Sequence, residues 1–127
     1  VGAAISRMPM QMRIKSDNSS LVSILDYCAA HFEEPLTLSD LADALHLSRY
    51  HISHLFNDKL GLGLNAYLNI LRVKRACELL QEGDKKIAEI SLAVGFGSIR
   101  SFNRAFLSVM DMTPQEYRSL AYSGKEK

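Results

Sequence analysis

Two short stretches hold most of the side chains that could do chemistry: LSRYHISHLF at residues 47–56 and SIRSFNRAF at residues 98–106. The first threads two histidines, a tyrosine, an arginine and two serines through apolar residues. Metal ligation, catalysis and nucleic-acid readout all use such sets. His51 and His54 are three apart and can share a helix edge, but no cysteine cluster or HExxH context supplies the further ligands a zinc site needs. His46 falls in a turn. A Ser–His–Asp site needs a pocket and an oriented base, which small helical lobes rarely provide. No catalytic residue, metal ligand or cofactor is therefore assigned. Readout of base edges and phosphates remains, and hydroxyls, an imidazole, amides and guanidinium groups suit it.

Which of these groups are free depends on the elements that carry them. Residues 1–19 show no sustained period, contain Pro9 and run into a polar DNSS cluster, which reads as a linker or tail. From Ser20 the pattern turns helical, with Leu21, Ile24, Leu25, Cys28 and Phe32 on one stripe and Pro35 as the stop. Thr37 or Ser39 caps the next helix, whose stripe is Leu38, Leu41, Ala42 and Leu45. Ser48 caps a third, with Ile52, Leu55, Phe56 and Lys59 on one side and Gly61 and Gly63 at its end. A longer helix spans about Leu64 to Gln81, carrying Leu64, Tyr67, Leu68, Leu71, Ala76, Leu79 and Leu80. Ile87, Ile90 and Val94 mark a short helix. Ser98 caps another with Phe102, Phe106 and Val109, and Thr113-Pro114 opens the last. The expected class is all-α: about seven helices in two helix-turn-helix lobes joined by a long linker helix.

The lobes are copies of one pattern. At an offset of 49 residues Leu38, Leu41, Ala44, Leu45 and Leu47 fall on Ile87, Ile90, Ala93, Val94 and Phe96. One extra residue in the turn then places Ser48 on Ser98, Ile52 on Phe102, His54 on Arg104, Phe56 on Phe106 and Tyr67 on Tyr117. A short helix, a brief turn and a capped second helix with a free polar face make a helix-turn-helix. The expected boundaries are lobe one at about 20–63, the linker helix at about 64–82 and lobe two at about 84–120, with a C-terminal tail over 121–127.

At about 100° per residue, with Ile52 inward, Leu55, Phe56 and Lys59 stay on the inner side, the lysine along its rim. Tyr50, His54 and Asn57 point away, Ser53 sits at the edge and Arg49 lies in the first turn. In the second copy Phe102 and Phe106 point inward, which leaves Arg100, Ser101, Asn103 and Arg104 outward or at the edge. Ile99 lies near the core edge and equally within reach of a thymine methyl. Arginine reads guanine bidentately and asparagine reads adenine. A linker helix of about 18 residues, roughly 27 Å long, suits two reading helices about one DNA turn apart, near 34 Å. Arg72, Lys74, Arg75, Lys85 and Lys86 are candidate phosphate contacts or plain solvated charges. The helix N-termini near Leu38 and Lys86 offer further amides to phosphates.

The 127 residues are 47% hydrophobic, enough for one compact domain or two very small ones. With 15 basic against 14 acidic residues there is no global basic field, so placement of charge must carry any nucleic-acid case. Cys28 and Cys77 read as core residues without a disulfide, in a reducing compartment. No apolar run is long enough for a bilayer and no secretion signal opens the chain, so cytoplasm is expected. The first residue is Val, not Met, so the expectation is a piece of a longer chain.

SRYHISHLFNDKLGLGLNAYLNILRVKRACELL followed by IAEISLAVGFGSIRSFNRAFLSVMDMTPQEYR resembles the DNA-binding domain of the AraC/XylS family of bacterial transcription regulators, over roughly residues 20–120. The more specific motif is Ile90, Gly95-Phe96, Ser98, Phe102, Arg104 and Phe106, then Thr113-Pro114 and Tyr117-Arg118. The resemblance implies that each lobe inserts its second helix into the major groove. By position, Arg49, Tyr50, Ser53 and His54 match one reading helix, and Ile99, Arg100, Ser101, Asn103 and Arg104 match the other. Asn57 joins the candidates by its outward position. Arg72 matches a linker-helix arginine of structural role. Asp111 stands where glycine is usual and tolerates a left-handed backbone. Asn57 and Leu107 stand where lysine is common, with Asp58 nearby, so phosphate contact there is expected to be weaker. Implied partners are double-stranded DNA, RNA polymerase and an N-terminal effector or dimerisation domain, with no membrane, and activation is the favoured outcome. The rival reading is a helical protein-interaction module, which would expose an apolar face.

Overall fold

A computed structural model describes residues 18–126, with side chains through Tyr122. Among the described residues there are seven α-helices and no strand: α1 (18–31), α2 (Leu38–Leu45), α3 (Arg49–Leu55), α4 (Leu64–Glu82), α5 (Ile87–Ala93), α6 (Ile99–Met110) and α7 (Pro114–Glu126). Residues 1–17 of the expected linker or tail lie outside the described residues, and the helix already stands at 18 rather than starting at Ser20. At the other end α7 continues through the stretch expected as a tail beyond residue 120.

The chain divides into two compact units, one of 18–30 with Leu36–Leu64, the other of His31–Pro35 with 65–126. All but the first residue of α4 therefore belongs to the second unit. The helix expected as a linker is a core element there, supplying Val73, Ala76, Cys77, Leu79 and Leu80 to the buried cluster.

In the first unit Ile24 and Cys28 of α1, Leu41 of α2, Ile52 and Leu55 of α3 and Phe56 after it are buried. Thr37, not Ser39, caps α2: its hydroxyl accepts the Asp40 N–H at 3.1 Å while the Asp40 carboxylate accepts the Thr37 N–H at 2.9 Å. Ser48 caps α3, its hydroxyl accepting the His51 N–H at 3.0 Å. After Leu55 the backbone passes into a π-helical turn, Phe56–Leu60, and ends at Gly61 with φ 70°. This departs from the single helix expected as far as Lys59. Lys59, expected along the rim of the core with its amine in water, is exposed.

The second unit repeats the arrangement on an aromatic core. Ile90, Val94, Phe96, Phe102, Ala105 and Phe106 are buried, and Met110 and Tyr117 pack against them. The rings form a chain of tilted contacts: Phe96 to Phe102 at 5.4 Å, Phe102 to Phe106 at 5.7 Å and Phe106 to Tyr117 at 5.8 Å. On α6 the buried stripe is 102, 105, 106. Val109, expected inside, is 39% exposed, and Met110 packs instead. On α4 Val73 is fully buried, whereas Tyr67 and Leu71 are half-buried. Ser98 caps α6 as Ser48 caps α3, accepting the Ser101 N–H at 3.1 Å. Asp111 ends α6 at φ 61°, so the left-handed turn forms without glycine there.

The turns before the two capped helices also match. Leu47 N–H bonds Ala42 O at 3.1 Å and Phe96 N–H bonds Ser91 O at 2.9 Å, each reaching back five residues. His46 (φ 57°) and Gly95 (φ 107°) supply the left-handed backbone. At Gly95 a Cβ would lie 2.9 Å from Glu33 O and 3.0 Å from Arg72 Nε. Gly95→Ala is expected to destabilise by about 1–2 kcal/mol, from strain at positive φ and the contact with a backbone oxygen. A denaturant midpoint unchanged by this substitution would mean that the turn relaxes freely.

Candidate nucleic-acid interface

The faces of α3 and α6 left over from core packing carry the candidate readers. On α3 and the turn after it, Arg49, Tyr50, His54 and Asn57 are exposed and Ser53 is half-buried, while Ile52 and Phe56 are fully inside. Tyr50 is 77% exposed. Its ring stacks on that of His54, with centroids 5.5 Å apart and planes 15° from parallel. His54 Nε2 lies 3.0 Å from Asp58 Oδ2. The set forms because 50, 54 and 58 are successive steps of four on one helical side. The Asp58 contact was not foreseen, although that spacing signals it.

On α6, Ile99, Arg100, Ser101, Asn103 and Arg104 are all exposed, and Phe102 and Phe106 between them are fully buried. Ile99, placed at the core edge by angle, is 45% exposed. The Ser98 hydroxyl donates to the Ser101 hydroxyl at 3.1 Å, so that oxygen is held while its own proton stays free to donate. Arg104 stands between two hollows. One, about 780 Å³, is lined by Asn65, Asn69 and Ile70 of α4 and by Ser101, Arg104 and Ser108 of α6. The other, about 690 Å³, has an apolar wall of Ile87, Ile99, Leu107 and Pro114, with Asn103 and Arg104 also lining it. Leu107 belongs to this surface and was not among the candidates.

The basic residues separate into engaged and free. Arg72 is fixed inside the second unit: Nε donates to Phe32 O at 2.7 Å, one terminal nitrogen to Glu34 O at 3.1 Å and the other to Asn69 Oδ1 at 3.4 Å. Its guanidinium also lies over the Phe96 ring, 5.8 Å from the centroid, and burial pulls its pKa below the ordinary arginine value. Arg75 pairs with Glu78 at 2.7 Å. Lys74, Lys85 and Lys86 are exposed. At the start of α2 the amides expected to meet phosphates are partly taken by the Thr37–Asp40 capping box, and Asp40 adds a negative charge there. The start of α5 at Lys86 has no side-chain cap.

Cys28 and Cys77 are free and buried; burial pushes the Cys28 thiol up to about 11 and raises that of Cys77 too, so neither is a thiolate at neutral pH. Among the described residues no three His, Cys, Asp or Glu side chains come together as metal ligands, and no helix is long and apolar enough to cross a membrane.

A family model described as a helix-turn-helix domain matches residues 41–119. The regulatory protein PocR of Salmonella typhimurium is 38% identical over 101 residues, covering 80% of this chain and 33% of its own length. An uncharacterised HTH-type transcriptional regulator of Staphylococcus aureus is 38% identical over 95 residues, covering 75% of this chain and 13% of its own. The chain thus spans a third or less of these relatives. A solved structure from Chromobacterium violaceum, described as a transcriptional regulator with an AraC-type DNA-binding domain, superposes with a TM-score of 0.77 at 33% identity, over 84% of this chain and 96% of that one.

Proposed function

Because the chain belongs to the AraC-type helix-turn-helix family, we propose that it binds double-stranded DNA sequence-specifically and thereby regulates transcription, with the outward faces of α3 and α6 as its readers. The observation that carries this is the duplicated side-chain partition. In both units a serine-capped helix buries an inner apolar stripe, Ile52 and Leu55 in one and Phe102, Ala105 and Phe106 in the other, and presents on its other side a mostly polar row where base edges would lie. The first row is Arg49, Tyr50, Ser53, His54 and Asn57; the second is Ile99, Arg100, Ser101, Asn103 and Arg104. Each helix reads its own short segment of a duplex. A binding module of this kind needs no catalytic group. RNA polymerase is the partner through which such binding would act, activation the favoured direction, and an effector-sensing or dimerising domain the element that would control it.

Arg104→Ala is expected to cost about 1–3 kcal/mol of affinity, concentrated at particular base pairs. The side chain is exposed, so stability should hold. Binding isotherms on a preferred duplex and its single-base variants measure this; an equal loss on every sequence would move Arg104 to a phosphate role. Affinity should also fall steeply with added salt as counterions are released, whereas a protein-interaction module would show no such slope on DNA.

A further inference from the structure

We propose that Asp58 is a positioning residue for base readout: its carboxylate fixes the His54 ring, the His54 ring supports Tyr50, and the specificity of the α3 face depends on a residue that itself stays off the bases. This inference rests on the DNA-reading function proposed above.

A carboxylate is an unexpected neighbour for a surface meant to approach phosphates, because it adds repulsion there. Its geometry supplies a role. Asp58 sits in the π-helical turn directly after α3, and its Oδ2 takes up His54 Nε2 at 3.0 Å. With Nε2–H donating to the carboxylate, Nδ1 of a neutral imidazole is left as an acceptor, so the bond selects the tautomer. One face of the same ring is covered by Tyr50 at 5.5 Å, nearly parallel. Tyr50 is otherwise 77% exposed and would have to give up its rotamer freedom on meeting DNA. Stacked on a ring that is itself bonded, it arrives already ordered. Prior ordering of this kind strengthens and sharpens binding by cutting the entropy lost in the complex. The outer face and hydroxyl of Tyr50 then become the principal contact of this helix, offering a flat apolar surface for thymine methyls and one polar tip.

Asp58→Ala and Asp58→Asn separate positioning from charge, since both remove the negative charge but the amide oxygen of asparagine still accepts from Nε2–H. On a duplex preferred by the unsubstituted protein, Asp58→Ala should lower discrimination between correct and single-base-changed segments under α3 by about three- to tenfold, and Asp58→Asn should keep it within about twofold. Discrimination under α6 should not move in either. Without DNA, nitrogen chemical shifts of the imidazole should report the Nε2-protonated tautomer in the unsubstituted protein and in Asp58→Asn, and a mixture in Asp58→Ala. The proposal is overturned if both variants bind every duplex more tightly by one factor with discrimination intact, which is charge relief alone. It is equally overturned if the tautomer is indifferent to Asp58. Failure of the unsubstituted protein to prefer any duplex would instead remove the DNA-reading function, and the imidazole spectra would still report on the contact.

Discussion

Phe106→Ala is expected to remove about 3–5 kcal/mol from the stability of the second unit, the range for truncating a buried aromatic. Phe106 is fully buried. It is also one of the two inner links of the four-ring chain, meeting Phe102 edge-on at 5.7 Å and Tyr117 at 5.8 Å, so its loss opens a cavity and unties two aromatic contacts at once. Domains of this size hold only about 5–15 kcal/mol in total, so a large share of the unit's stability would go. Denaturant unfolding with a probe in the second unit measures it. DNA affinity should drop only as the folded fraction drops, with base preference unchanged in the molecules that remain folded. A loss below about 1 kcal/mol would mean the ring is not part of the core.

Arg72→Ala is expected to destabilise by about 3 kcal/mol, the upper end for hydrogen bonds made by a charged group. Three donors leave together: those on Phe32 O, Glu34 O and Asn69 Oδ1. The segment His31–Pro35 then loses the side chain that ties its carbonyls to α4, and Phe96 loses the guanidinium above its ring. Arg72→Lys should recover little, because one ammonium cannot span the same acceptors or lie flat on the ring. Full recovery by lysine would show that charge alone matters. A change in base preference at unchanged stability would place Arg72 at the DNA.

Helix positions were legible because the apolar residues recur at three and four and the caps are of ordinary kind: Ser48, Ser98, and the threonines ahead of α2 and α7. The partition of α3 and α6 into buried and exposed sides followed from the same angles, and the duplication made each copy a check on the other. Of the features that escaped, three bear on how the site is built. The π-helical turn at Phe56–Leu60 depends on how the backbone closes onto Gly61, which no apolar period encodes, so periodicity alone runs α3 on as a single helix to Lys59. The long α4 carries an ordinary helical pattern, which says nothing about which core it joins; Val73 and Cys77 show that it joins the second. Asp58 reads in the sequence as a charge opposed to phosphates, although it stands four residues after His54, the spacing at which two side chains meet on one helical side.

The central claim is that the exposed sides of α3 and α6 read base sequence. Selection of bound molecules from random duplex DNA, run in parallel with the unsubstituted protein and with Arg104→Ala, tests it most directly. Two short preferred segments should emerge for the unsubstituted protein, and Arg104→Ala should relax one of them while leaving the other intact. Enrichment of no sequence, or a preference that Arg104→Ala leaves wholly unchanged, would contradict it.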